Sequence, residues 1–232
     1  RWHRVEVRSG TCPAIYSSIA IVTVFDPLNF GTLSSGNETF CASGDPANIT
    51  FSTAPSGGAG TFTYQWYYQD GLATCPIGTS TAGWTSISGA NGSSYDPPAG
   101  LTTSRTYAVI VDPTGSPDCG SATWASGCRQ VTVNPTPTVN DPTDQLVCNG
   151  TSTTTVTFSG TGTSYSWTND NTSIGLAASG TGNISAFTAT NTGNTPAVAT
   201  ITVTPAYLGG GVTCYGTPQS FTITVYPISV GG

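Results

Sequence analysis

The side chains in this sequence best equipped for chemistry are its cysteines, at positions 12, 41, 75, 119, 128, 148 and 214. No two of them form a C-x-x-C pair, and the chain has a single histidine, His3. That spacing argues against a zinc site, which needs four soft ligands gathered from short motifs. Disulfide chemistry fits better, because cysteines in a chain rich in Thr and Ser and lacking Lys read as oxidised extracellular residues. An odd count leaves at least one of them without a partner inside the chain. His3 is the one conventional general base, and it sits in an alternating stretch that reads as a surface strand, so a nucleophile–base pair is not expected. No paired carboxylates or metal motif suggest a hydrolase.

Other oxygen and aromatic groups offer further chemistry. Asp112 and Asp118 flank Asp112-Pro113-Thr114-Gly115, where turn chemistry accounts for them. Asp141, Asp144 and Asp170 offer hard oxygen ligands for a Ca²⁺ at a junction between modules, although they follow no loop spacing of a known calcium site. Tyr67, Tyr68, Trp84 and Trp124 are aromatic residues beyond those a core requires, able to stack on a sugar face or a protein partner. Trp124 lies in a Ser/Gly-rich stretch between Cys119 and Cys128, and exposure is expected there. Tyr107, six residues after Leu101, has the spacing of a tyrosine corner, whose phenol bonds back to the chain.

The elements that must position these residues are strands. Gly and Pro total 45 and are scattered throughout, so no long 3.6-period segment survives. Short alternating runs recur: Thr61–Tyr67, Thr106–Val111, Thr154–Phe158 and Ala199–Val203. Period-2 alternation of β-branched and aromatic residues marks half-buried strands. Only 7% of residues are charged and the net charge is −6. There is no basic footprint to neutralise nucleic-acid phosphates. No apolar run reaches the ~18–20 residues of a spanning helix, so membrane insertion is not expected.

A boundary phrase recurs three times: Val22-Thr23-Val24-Phe25-Asp26-Pro27, Val131-Thr132-Val133-Asn134-Pro135 and Ile223-Thr224-Val225-Tyr226-Pro227. Proline cannot donate to a ladder and marks the exit from a sheet. Between boundaries one order repeats: a cysteine (Cys41, Cys148), a strand, Tyr-x-Trp (Tyr64-Gln65-Trp66, Tyr165-Ser166-Trp167), a late strand, a second cysteine (Cys119, Cys214) and a closing strand. The expected fold is all-β, with tandem immunoglobulin-like/PKD-like β-sandwich modules and Trp66 and Trp167 filling the cores. The expected divisions are 1–25, the closing hairpin of a truncated module; 26–135, one module; 136–228, a second; and 229–232, the start of a linker. A lone hairpin is marginal in water, so residues 1–25 call for strands from upstream sequence or a neighbour.

This order resembles the Ig-like and PKD-like (polycystic-kidney-disease-like) repeats of giant secreted surface proteins of the Bacteroidota. Residues 136–228 carry the closer likeness, through Val147-Cys148-Asn149-Gly150, Tyr165-Ser166-Trp167-Thr168-Asn169-Asp170 and Phe221-Thr222-Ile223-Thr224-Val225. Trp167 is followed by Thr168-Asn169-Asp170 where that family has Phe-Gly-Asp-Gly, so the unit is divergent. The resemblance implies a non-catalytic, extracellular segment of a cell-surface adhesin or filament, of the gliding-motility type exported by type IX secretion. Its implied partners are neighbouring repeats, surface polysaccharide or other cell-surface proteins. The alternative is an accessory carbohydrate-binding region of a secreted enzyme.

Two disulfide schemes remain open. Repeat position pairs Cys41 with Cys119, Cys148 with Cys214 and Cys75 with Cys128, leaving Cys12 free, and this is the favoured expectation. Against it, an Ig-type sandwich places the first and second cysteines of a module at opposite ends, beyond disulfide reach. Head-to-tail stacking would instead bring Cys41 to Cys214 across a joint.

Overall fold

The structure is a computed structural model that describes residues 1–34, 36–114 and 120–228. Among the described residues the chain is all-β, built from tandem immunoglobulin-like β-sandwich modules, with one short 3₁₀ turn at Thr172–Ile174. Two large sheets share one strand order. In the first, Thr85–Ser86, Thr61–Asp70, Arg105–Thr114, Arg129–Asn134 and Glu38–Cys41 lie side by side, and Thr123–Trp124 also pairs with Arg105–Thr114. In the second, the order is Ser179–Thr181, Ser164–Asn169, Ala197–Gly209, Gln219–Tyr226 and Gln145–Cys148, and Val212–Tyr215 also pairs with Ala197–Gly209. In each, the cysteine-bearing first strand runs parallel to the last, while the other neighbours are antiparallel.

The alternation read in the sequence explains the strands. Along Gln219–Tyr226, Phe221, Ile223 and Val225 are buried between partly or fully exposed neighbours. Along Arg105–Thr114, Thr106 and Ala108 are buried as well as Tyr107, Val109 and Val111, so this central strand is covered on both faces. Facing layers complete each sandwich. In the first unit they are Asp26–Asn29 with Ser56–Gly58, Thr32–Leu33 with Phe51–Thr53, and the bridge Ile49–Tyr95. In the second, Val156 and Ile184 exchange backbone hydrogen bonds at 2.9 and 3.0 Å.

Two separate cores result. Leu33, Ile49, Trp66, Tyr107, Val109 and Val131 anchor one. Val156, Trp167, Ile184, Ile201, Phe221 and Ile223 anchor the other. Trp66 is fully buried and Trp167 nearly so, as the repeated Tyr-x-Trp predicts. Burial of each ring removes a large apolar area from water, worth a few kcal/mol.

Residues 1–25 form a ribbon whose strands, among the described residues, pair with one another: Trp2–His3 with Ala20–Ile21, and Glu6–Val7 with Ile15–Tyr16. Trp2, Val7, Ile15 and Ile21 are all exposed. Residues 229–232, read as the start of a linker, lie outside the described residues.

Candidate functional site: a stapled joint between the two sandwiches

The strands bring Cys41 and Cys214 together. Cys41 ends the strand Glu38–Cys41, opposite Asn134. Cys214 lies on the return arm of the hairpin Ala197–Gly209/Val212–Tyr215 of the second unit. They form a disulfide with Cα atoms 5.5 Å apart, joining residues 173 positions apart in sequence. Cys214 is buried, at 2% exposure. On the chain-entropy model a loop this long is worth about 5 kcal/mol.

The favoured pairing of Cys41 with Cys119 and Cys148 with Cys214 is therefore corrected. Cys41 is taken by Cys214, and Cys148 is free and exposed. The physical reason is position. A first strand parallel to the last strand puts its cysteine at the end of the module that meets the next one. Cys119 lies outside the described residues. Cys75 and Cys128 are bonded, with Cα atoms 5.2 Å apart, and Cys12 is free and exposed.

Polar contacts reinforce the staple. Asn134, 3% exposed, donates through Nδ2 to the Gly209 carbonyl at 2.8 Å and to the Val212 carbonyl at 3.4 Å. Thr39 Oγ1 donates to the Gly210 carbonyl at 3.4 Å. The hairpin turn comes so close that side chains do not fit on it. A methyl on Gly209 would lie 2.5 Å from Asn134 Oδ1, and one on Gly210, whose φ is +56°, would lie 2.6 Å from Thr39 Oγ1. Glycine alone tolerates both the approach and the left-handed turn. The strand that carries Cys41 is tied down by an ion pair, Arg129 Nη2 to Glu38 Oε2 at 3.0 Å, with the Arg129 side chain only 7% exposed. Glu38 Oε2 also accepts the Ala47 N–H at 3.0 Å.

The other residues singled out in the sequence have different fates. Trp124 is buried rather than exposed, at 5%. Its strand pairs with Ile110–Val111, its Nε1–H donates to the Ser80 carbonyl at 2.8 Å, and its ring packs between Tyr67 and Trp84 with centroids 5.1 and 5.3 Å away. The loop that begins near Cys75 folds back over it, which flanking composition did not reveal. Trp84 and Tyr68 are half-buried; the Arg105 guanidinium lies 4.3 Å from the centre of the Tyr68 ring. His3 is exposed on the N-terminal ribbon.

Asp141, Asp144 and Asp170 are not gathered into one ligand set, and among the described residues no cluster of three His, Cys, Asp or Glu forms. Asp144 Oδ1 accepts the Thr222 N–H at 2.6 Å and Asp170 Oδ1 accepts the Thr200 N–H at 2.7 Å, so each holds a strand edge. Tyr107 is buried, but among the described residues its hydroxyl has no hydrogen-bond partner, so the tyrosine corner does not form there. Burial pushes its pKa up, and the neighbouring Arg105 partly offsets the rise. Burial also raises the pKa of Tyr95, whose ring centroid is 5.7 Å from that of Tyr107.

Sequence reasoning missed Asn134 and Gly209. The available signal was the Gly209-Gly210-Gly211 run, which marks a tight turn; Asn134 carried none.

The stapled pair of sandwiches defines a tandem, all-β, immunoglobulin-like chain. Residues 29–135 match the model of a domain of unknown function, DUF8696. No curated protein matches the chain. Among solved structures, the chain is similar to EC1-2 of human mucin-like protocadherin, at 8% identity and a TM-score of 0.34, covering 89% of this chain and 100% of that one. It is similar to the tandem Ig repeats of Dlar, at 10% identity and a TM-score of 0.24, covering 84% and 99%. It is also similar to the I9-I11 tandem from titin, at 13% identity and a TM-score of 0.27, covering 97% and 74%. The fold assignment rests on the strand order of the two sandwiches themselves.

Proposed function

We propose that this chain is a non-catalytic structural and adhesive segment of an extended extracellular surface protein, in which β-sandwich units are strung in series and clamped at their joints. The observation that carries this reading is the Cys41–Cys214 bond across the joint, flanked by the Asn134–Gly209 hydrogen bond. A disulfide between units, rather than within one, resists bending and pulling at the point where a string of domains is weakest. Two disulfides also fit an oxidising compartment. The likeness to repeats of Bacteroidota surface adhesins supports a place on a cell surface, with neighbouring repeats as the first partners. In this reading the ribbon of residues 1–25 is the closing hairpin of a further unit.

The test is mechanical. Single-molecule stretching of the oxidised chain is expected to leave the residues between Cys41 and Cys214 locked, with their contour length released only after reduction. Equal contour-length gains with and without reductant would contradict a clamped joint. The sugar-binding alternative drew on Tyr67, Tyr68, Trp84 and Trp124 as exposed rings; with Trp124 buried and the other three half-buried, no saturable binding to a glycan array is expected.

A further inference from the structure

The loop after Thr85–Ser86 holds the core ring of the first sandwich at three points. The Ile87 N–H donates to the Trp66 carbonyl at 2.9 Å, the Trp66 N–H donates to the Ala90 carbonyl at 3.1 Å, and the Trp66 indole N–H donates to the Gly92 carbonyl at 2.9 Å. Asn91 lies between the second and third of these points, and both Asn91 and Gly92 are exposed. Asn-Gly is a reactive pair. The backbone nitrogen after an asparagine can attack the side-chain amide carbon. A glycine there leaves that nitrogen unshielded by a Cβ and its backbone free to turn toward the target.

The sequence holds two such pairs, Asn91-Gly92 and Asn149-Gly150, and the fold treats them in opposite ways. The Gly150 N–H donates to the Ala189 carbonyl at 2.8 Å, and Asn149 Oδ1 accepts the Asn191 N–H at 2.8 Å. Nucleophile and target are thus both tied down, and the chain must open locally before the Gly150 nitrogen can shed its proton. Among the described residues, neither the Gly92 N–H nor the Asn91 carboxamide has a hydrogen-bond partner. The Gly92 nitrogen is open to hydroxide, and the Asn91 side chain is free to swing over it.

We propose that Asn91 is a self-modification site, converted without an enzyme to isoaspartate and aspartate, and that the isoaspartate form loosens the hold on Trp66. Hydroxide takes the Gly92 N–H proton. The nitrogen forms a bond to Asn91 Cγ, and the bond from Cγ to the side-chain nitrogen breaks, releasing ammonia and leaving a cyclic imide, the succinimide. Water then opens the ring. Attack at the side-chain carbonyl gives an aspartate. Attack at the backbone carbonyl gives an isoaspartate, in which the chain runs on through the former side chain. Overall a water is consumed and an ammonia released, with no change of oxidation state. The isoaspartate inserts a carbon into the backbone next to Gly92, which displaces the carbonyl that accepts the Trp66 indole N–H.

The test uses the full chain, aged at mildly alkaline pH. Samples are digested, mapped by mass spectrometry and labelled with an isoaspartate methyltransferase. The expected result is conversion at Asn91, faster at higher pH, with Asn149 slower by about thirtyfold because two hydrogen bonds hold it. In urea the two sites should convert at similar rates, since unfolding removes the protection. The aged chain should unfold at a lower urea concentration than the fresh chain. Freshly made Asn91→Asp, which carries the charge without the inserted carbon, should keep the wild-type midpoint, and Asn91→Ser should not decline with age. The proposal is overturned if Asn91 stays an amide, if Asn149 converts as fast as Asn91 in the folded chain, or if the isoaspartate form unfolds at the wild-type midpoint.

Discussion

Asn134 reaches across the joint and donates to the Gly209 carbonyl at 2.8 Å, so a side chain of one sandwich is bonded to the turn of the next. Gly209→Ala places a methyl 2.5 Å from Asn134 Oδ1 and forces the carboxamide away. Losing one or two hydrogen bonds of about 1 kcal/mol each should make Cys41–Cys214 about five- to thirtyfold easier to reduce. A glutathione titration with thiol trapping reads this directly. An unchanged reduction midpoint would mean that Asn134 does not help to hold the joint.

The first sandwich should be sensitive to alkali. Folding raises the pKa values of Tyr107 and Tyr95 above the ordinary 10.0. The folded form therefore holds those protons more tightly than the unfolded form. The resulting stability is fully present below pH 10 and is lost as pH rises through the folded-state values. Denaturation monitored with ultraviolet absorbance at 295 nm should show unfolding coupled to tyrosinate formation above pH 10. Tyr107→Phe should flatten that limb; an alkaline limb as steep as the wild type's would contradict a role for Tyr107.

The two core tryptophans should respond differently to the same substitution. Trp66 Nε1–H donates to the Gly92 carbonyl at 2.9 Å, whereas the buried Trp167 Nε1 has no partner among the described residues. Replacement by Ala should cost about 3–5 kcal/mol at either site. Replacement by Phe keeps most of the ring, and at Trp66 it also removes the N–H donor and leaves the Gly92 carbonyl without that bond, adding about 1 kcal/mol. Urea unfolding of Trp66→Phe and Trp167→Phe checks the order; equal losses would contradict it.

The strands and both core tryptophans were legible because alternation and the Tyr-x-Trp repeat are local signals: Phe221, Ile223 and Val225 read as one buried face before any coordinates exist. Trp124 was misread because its cover, the loop carrying the Ser80 carbonyl, is set by the Cys75–Cys128 bond and not by neighbouring residues. The joint was only half legible. Its cysteines stood at repeated positions, but whether Cys41 turns inward to Cys119 or outward to Cys214 depends on the parallel register of Glu38–Cys41 with Val131–Asn134, which composition does not encode. Asn134 followed from neither pattern nor spacing, since its role depends on a turn 75 residues away.

The central claim, that the two sandwiches are clamped to each other, is tested most directly by non-reducing peptide mapping of the freshly isolated monomer after thiol alkylation. The expected map contains one peptide linking Cys41 to Cys214 and one linking Cys75 to Cys128, with Cys148 alkylated. A peptide linking Cys148 to Cys214, or Cys41 to Cys119, would place the bonds inside the units and contradict the account.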